Sequence, residues 1–591
     1  MVVRLKIFKT KGFTLIETIV TIGVFAIISV SILAAFFNVF DIITAFQLNS
    51  AALEVLDTEL EIVRNMRYED VGTVGGSPSG LIEPERTIIY GGTPFLVKTT
   101  TRNIDDSFDG VIGGAPNDTA PADYKLVEFE ISCPSCSRFS TLAITTTVSP
   151  KNLEFTTNNG ALFINVFDAS GIPVSKANVS VANSSVNPPI NINDITDING
   201  RLQFVDIATS TLSYAVTVSK NGYSQDKTYP IGDIQNPNPL KPHATVAALQ
   251  VTQISFAVDI VSAFNFKTQD MFCRPVGDID FKQTGAKLIG SSPDVLKYSV
   301  TSVTDSQGDK SINNLEWDTY NFQNLDTAYE IGGMAPLAPM VVNPGGSYQL
   351  KWLMETKTPL SLLISVLDAS GASINDASVS LSKTGFNKTQ ISGTKVFTAT
   401  DWSGASYDSQ SGNIEDANPI GELKLKNQGG RYATSTEWLV SSTVDFGATN
   451  TMFFNLDFNP LIQPPQTGPD SLKIQIATNN DNATWNFLGP DGTQGTYYTA
   501  SAAPINSIHN NNRYLRYKVF FKTENENFTP ALEDISFNFR SSCVISGQAF
   551  FSGLASGTYS LTIQKSGYQN FSDANVSVSD NWRELRVTLQ P

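Results

Sequence analysis

From Thr18 to Phe40 the chain runs through 23 consecutive residues without an ionisable side chain, TIVTIGVFAIISVSILAAFFNVF. As an α-helix this run spans about 35 Å, enough to cross the hydrocarbon core of a bilayer. A helix pairs every backbone polar group internally, which an apolar medium demands. Arg4, Lys6, Lys9 and Lys11 precede the run and Asp41 follows it, so the N-terminus is expected to stay cytoplasmic and the body to be exported. A secretory signal peptide would have a shorter apolar core ending at a small-residue cleavage site, and no clean A-x-A site follows.

The helical pattern continues past this run. Phe46, Asn49, Leu53, Leu56, Leu60 and Val63 recur at spacings of three and four, one amphipathic stripe. Glu54, Asp57, Glu59 and Glu61 are expected on the opposite, solvated face. One helix of about 50 residues is predicted, apolar all round in its first half and with one face to bury in its second. That face is expected to dock on the β-domain that follows.

Glu17 sits at the edge of the apolar run, in KTKGFTLIETIV. A lone carboxylate there is costly unless neutralised or paired with a cation. The segment KGFTLIETIVTIGVFAIIS resembles the N-terminal signature of type IV prepilins and pseudopilins: a basic leader, Gly12 before Phe13, and Glu17 at the fifth position after the junction. The resemblance covers Lys11 to about Val63. It implies cleavage between Gly12 and Phe13 by a membrane prepilin peptidase, N-methylation of Phe13, and export to the outer face of the inner or only membrane. It further implies that Glu17 pairs with the terminal amine of a neighbouring subunit and sets the register of a filament. The plainer alternative is that Glu17 complements the helix dipole near its N-terminus.

Composition bears on what lies beyond the helix. Charged residues make up 16% of the chain, against about 25% in an ordinary soluble domain. A polar but uncharged surface fits an exported β-protein better than a helical enzyme. The formal net charge is −16, and removing the four leader cations would make it −20, so bulk electrostatics oppose nucleic-acid binding. Two histidines, His243 and His509, are too few and too far apart for a His-rich zinc site and weaken any Ser/His/Asp proposal.

The predicted architecture is mainly β with one long N-terminal α-helix, a pilin-like head and a string of Ig-like β-sandwich modules. Residues 1–12 read as the leader and 13–66 as the helix. A β head is placed at 67–152, on runs such as RTIIYGG, PFLVKTTTRNI and DYKLVEFEISC. Within it Cys133 and Cys136 form a C-x-x-C. No βαβ setting supports a redox motif, and a zinc site lacks a second pair. A short candidate disulfide suits an exported chain; free thiols are the alternative. Cys273 and Cys543 stand isolated.

The downstream body repeats. LFINVFDASGIPVSKANVSV from Leu162 and LLISVLDASGASINDASVSL from Leu362 match at ten of twenty positions. A T-D-x-x-G mark occurs at Thr196–Gly200, Thr304–Gly308 and Thr400–Gly404, and a Tyr recurs nine residues before Tyr223 and Tyr568. This grammar resembles carboxypeptidase regulatory-like and Cna-B-like modules, sandwiches of the transthyretin type that act as spacers without peptidase chemistry. Modules are expected at 153–240, 250–356 (divergent, lacking D-A-S-G) and 357–460. T-D-x-x-G is read as a turn, since one Asp and one Thr fall short of a calcium shell. Residues 468–541 loosely resemble a jelly-roll sandwich. Its Trp485, Tyr497, Tyr498, Tyr514 and Tyr517 are read as half-buried strand aromatics rather than a sugar platform. Residues 542–591 read as a partial module without its opening strands.

The leading reading is a structural minor pilin or pseudopilin that enters a filament through its helix and displays β-modules, as an adhesive, tip or initiation subunit. Its expected partners are the prepilin peptidase, other pilin subunits, the membrane, and a surface glycan or protein. A membrane-anchored adhesin that never polymerises is the alternative. No catalytic, cofactor or metal residues stand out, and enzymatic function gets no support from any convergent motif.

Overall fold

In the computed structural model, residues 14–136, 139–151, 157–404 and 406–591 are described. One long helix, Leu15–Asn65, is followed by β-structure throughout. The chain forms two compact units, one comprising residues up to Ile260 with Leu288–Val295, the other Val261–Lys287 with Leu296–Pro591.

In the first unit the head is a four-stranded antiparallel meander of Glu85–Tyr90, Thr93–Ile104, Tyr124–Ser132 and Leu142–Val148. Strict alternation buries Phe95 and Val97 from one strand and Val127, Phe129 and Ile131 from the next. Against them lie Ala52, Val55, Leu56 and Val63 of the helix.

This docking face differs from the expected stripe. Leu56 and Val63 are buried, but Phe46 is 76% and Leu53 49% exposed. The buried set is turned toward Ala52, whose small side chain lets the helix approach the sheet. Glu59, expected in solvent, is 4% exposed and ion-pairs with Arg86 of the first head strand. A carboxylate is tolerated at the interface because a guanidinium from the sheet meets it.

The sandwich after the head packs a sheet of Val251–Ala257, Gly160–Phe167 and Arg201–Ile207 on one built around Asn178–Asn183, Ile190–Ile195 and Ser210–Ser219. Strand Val251–Ala257 runs parallel to Gly160–Phe167. The Tyr of the repeat, Tyr214, is fully buried and donates its hydroxyl proton to the Ala208 carbonyl.

In the second unit a divergent sandwich spans Ser262–Gln269 to Ser347–Thr356, with Phe264, Phe266, Phe281 and Trp352 at its centre. It has no D-A-S-G, yet it makes the same turn. Asp168 Oδ1 accepts from the Ser170 and Ile172 amides, Asp368 Oδ1 from Ser370 and Ala372, and Asp270 Oδ1 from Phe272 and Arg274, all at 2.8–2.9 Å. At the glycine position of this turn, Gly171 and Gly371 have φ +80° and +84°; the divergent sandwich places Cys273 there at φ +58°. Cys273 is disulfide-bonded to Cys543, with Cα atoms 5.0 Å apart.

The last sandwich is discontinuous in sequence. Strand Ser361–Leu367 pairs antiparallel with Gln548–Phe551 and parallel with Trp582–Thr588. Strand Ser378–Lys383 pairs with Gly557–Gln564. The strands that residues 542–591 were expected to lack are therefore those opening the 357–460 segment. The chain leaves this sandwich at one turn. In the intact modules the Val166 amide donates to Gly200 O and Thr268 to Gly308 O; here Val366 donates to Gly547 O, each at 2.8 Å. Ser392 takes the part of Thr196, its hydroxyl bonded to Ile374 O and the Ala377 amide. The T-D-x-x-G turn is thus split between Ser392-Gly393 and Gly547.

The residues between form their own sandwich, with strands from Lys395–Ala399 to Asp534–Arg540. Its core holds Trp402, Leu439, Phe446, Ile474, Tyr517 and Phe537. Thr400–Gly404 belongs here and is not a third copy of the module turn. Its Trp402 is fully buried and donates to the Tyr517 hydroxyl at 2.8 Å. The entry and exit strands lie side by side, Lys395 opposite Phe539, and the Gly393 amide donates to Gln548 O at 2.8 Å.

Candidate assembly helix

Gly12 and Phe13 lie outside the described residues, as does the side chain of Glu17, whose backbone belongs to the helix Leu15–Asn65. From Leu15 to Phe46 every large apolar side chain is exposed, Leu15 at 80% and Phe37 at 64%. The helix is long and apolar enough by length and composition to cross a membrane. Three of its hydroxyl side chains bond back to the helix itself. Thr18 Oγ1 donates to Thr14 O at 3.2 Å, Ser31 Oγ to Ile27 O at 2.8 Å and Thr44 Oγ1 to Phe40 O at 2.9 Å. Such a surface needs cover by lipid or by other helices, since keeping apolar area in contact with water costs about 25 cal/mol per Å².

The C-terminal turns are fixed to the head. The Arg86–Glu59 pair joins helix to sheet at one edge. Lys125, 6% exposed, donates to the carbonyls of Tyr68 and Val71 at 2.8 and 2.7 Å and holds the chain where it leaves the helix. Burial pulls the Lys125 ammonium down from its ordinary value. Cys133 and Cys136 are joined as a disulfide in the turn after Tyr124–Ser132, with Cα atoms 5.3 Å apart, and pack in the same core as Val55 and Leu56.

Behind the head sheet a crevice of about 650 Å³ opens toward the adjoining sandwich. Arg102 from the head and Asp194 from the sandwich meet in it, while Phe163, Ile112 and Val205 supply its apolar wall. Sequence reading missed this ion pair, the Glu59–Arg86 pair and the Cys273–Cys543 bond. The one local signal was a cysteine four residues after Gln269, at the fourth position of an Asp-headed turn.

The remaining candidates lie elsewhere. His243 Nδ1 is 2.9 Å from Thr228 Oγ1, and burial lowers its pKa. His509, 2% exposed, is 3.1 Å from Thr478 Oγ1, and burial pushes it down to about 4. Each is held by a threonine hydroxyl inside a sandwich. Tyr498 and Tyr517 are core residues. Trp485 and Tyr497 are half-buried, with Arg516 4.5 Å and Lys473 4.6 Å from their ring centroids. Among the described residues no three His, Cys, Asp or Glu side chains converge in a metal-holding group.

No protein-family model matches the chain, and no curated protein matches it. Solved structures similar to parts of it include the Bacillus anthracis TIE protein, at 11% identity over 46% of this chain and 53% of that one, TM-score 0.15. The chain thus covers about half of that protein's length. A Streptococcal ancillary pilin is similar at 10% identity over 38% of this chain and 75% of that one, TM-score 0.17. The shaft pilin SpaA from Lactobacillus rhamnosus GG is similar at 12% identity over 34% of this chain and all of its own, TM-score 0.14. The second and third of these are described as pilins.

Proposed function

We propose that the chain is a pilin-type structural subunit of the type IV class, cut between Gly12 and Phe13 and assembled through its N-terminal helix. The observation that carries this reading is the helix Leu15–Asn65, in which only the final turns dock on the head and every large apolar side chain from Leu15 to Phe46 is exposed. In the membrane lipid would cover that surface, and in a filament the helices of other subunits would. Glu17 would then meet the amine that cleavage creates on a neighbouring copy, a charge-assisted pairing that fixes register in an apolar core. About 520 residues follow the helix, more mass than a position repeated along a shaft would accommodate, so a tip or initiating position fits best. The sandwiches would act as a stalk displaying the outermost domain to a surface glycan or protein.

The test is mass spectrometry of the N-terminus in sheared surface filaments. An N-methylated Phe13 start is expected, and a Met1 start in that fraction overturns the proposal. Glu17→Ala is expected to remove the chain from filaments while leaving it in the membrane. Unchanged incorporation would instead favour the anchored, non-polymerising adhesin.

A further inference from the structure

The loop between head strands Thr93–Ile104 and Tyr124–Ser132 carries five aspartates, Asp105, Asp106, Asp109, Asp118 and Asp123, and no Lys or Arg from Asn103 to Tyr124. It is compact. Val111 and Asn117 are bridged, and a Cβ on Gly110 (φ +130°) would lie 2.7 Å from Pro116 O and 3.4 Å from the Asp118 amide nitrogen. One peptide unit, Val111–Ile112, contacts two of the acids. The Ile112 amide donates to Asp105 Oδ2 at 2.9 Å, and the Val111 carbonyl accepts from the Asp118 amide at 3.3 Å.

Three oxygens here are buried without a hydrogen-bond partner: Asp105 Oδ1, Asp118 Oδ2 and Asn103 Oδ1. Asp118 is 8% and Asn103 7% exposed. Asn103 Nδ2 donates to Val205 O at 3.4 Å, and the residue lines the same crevice as Asp105. Neither Asp105 nor Asp118 has an ion-pair partner among the described residues. Asp118 Oδ1 accepts from the Ala120 amide at 2.8 Å, so each of the two carboxylates keeps one bare buried oxygen. A buried acceptor without a donor is costly, and a cation is what removes that cost.

We propose that this loop binds one Ca²⁺ ion through the carboxylates of Asp105 and Asp118, with the Asn103 amide oxygen and loop carbonyls completing the shell. No three acidic, imidazole or thiolate groups converge here, so main-chain and amide oxygens must supply the rest. Ca²⁺ accepts such a mixed oxygen set in irregular geometry, whereas Mg²⁺ demands a near-octahedral one and Zn²⁺ prefers nitrogen and sulfur. Because Ile112 packs on Ala161 and Val205 of the adjoining sandwich, the ion would stiffen the joint between head and stalk. The sequence reading named no metal-holding residue in this loop.

The test is calorimetric titration of CaCl₂, and separately MgCl₂, into the full-length chain in detergent micelles after EGTA treatment. About one Ca²⁺ per chain is expected, weakened at least tenfold in Asp105→Asn and Asp118→Asn and unchanged in Asp580→Asn. Absence of uptake, uptake by either loop variant as tight as that of the unaltered chain, or equal affinity for Mg²⁺ overturns the proposal. Should the variants misfold, chymotrypsin provides an independent readout on the unaltered chain. Phe108 is 97% exposed in this loop, and Ca²⁺ is expected to slow cleavage after it several-fold; an unchanged rate overturns the proposal.

Discussion

Arg102 holds Asp194 in a two-pronged grip, Nε to Oδ2 at 2.7 Å and Nη2 to Oδ1 at 2.5 Å. The pair links a head strand to a strand of the next sandwich across 92 residues of sequence. Bidentate geometry matches the flat guanidinium to the carboxylate, and a Lys cannot reproduce it.

The two ends of this pair are unequal, because the Arg102 side chain is 25% exposed and that of Asp194 only 4%. Arg102→Ala strands a buried carboxylate and is expected to cost about 2–3 kcal/mol. Asp194→Asn leaves a neutral acceptor and should cost about 1 kcal/mol. Urea unfolding followed by tyrosine fluorescence tests this; equal costs would mean that Asp194 is hydrated.

The helix face can be checked in the same way. Ala52→Leu is expected to cost about 1–3 kcal/mol through overpacking, and Glu59→Ala about 1 kcal/mol, since the Arg86 side chain it leaves is 38% exposed and can turn to water. Phe46→Ala and Leu53→Ala, on exposed positions, should change head stability by less than about 0.5 kcal/mol.

Cys273 and Cys543 close a loop of 270 residues that contains the whole inserted sandwich. Chain-entropy arguments put such a crosslink at about 2–5 kcal/mol. Cys543→Ser, or reduction, is expected to lower the melting temperature of the inserted sandwich by several degrees. Fragments produced by cleavage between the two cysteines should stay joined on a non-reducing denaturing gel and separate on a reducing one.

His509 predicts a pH dependence. Its folded pKa, about 4, lies below its ordinary value, so the unfolded chain binds the proton more readily between those two values. Stability is therefore complete above about pH 6.5 and falls as the pH drops toward 4, by about 3 kcal/mol in all. His509→Gln should flatten this segment of the stability curve, measured by thermal unfolding at pH 4.5 and 7.5.

The long helix and the strand-rich body were legible in the sequence because both rest on local periodicity. The docked face was not. Spacings of three and four admit overlapping stripes, and the choice fell on the small Ala52 and on a charge pair whose other half, Arg86, lies 27 residues away. The D-A-S-G repeat was visible because each copy is local. The joining of Ser361–Leu367 to Gln548–Phe551 was not, since nothing in either segment signals a partner so distant. Cys273 was left unassigned because it occupies the glycine position of a turn whose other marks had diverged. The candidate cation loop was overlooked for a related reason: its acids follow no fixed ligand spacing, and their significance lies in burial.

The split of the last sandwich at Gly393 and Gly547 has a consequence for biogenesis. The strands from Ser361 to Ile391 leave the ribosome or translocon first, yet their partners begin only at Gln548. At 5–20 residues per second that interval is on the order of ten to forty seconds, during which open strand edges stand unpaired. The intervening domain can mature in that time. With its two ends already adjacent, it would bring the waiting half and the late half within reach of each other, a guest that chaperones its own host.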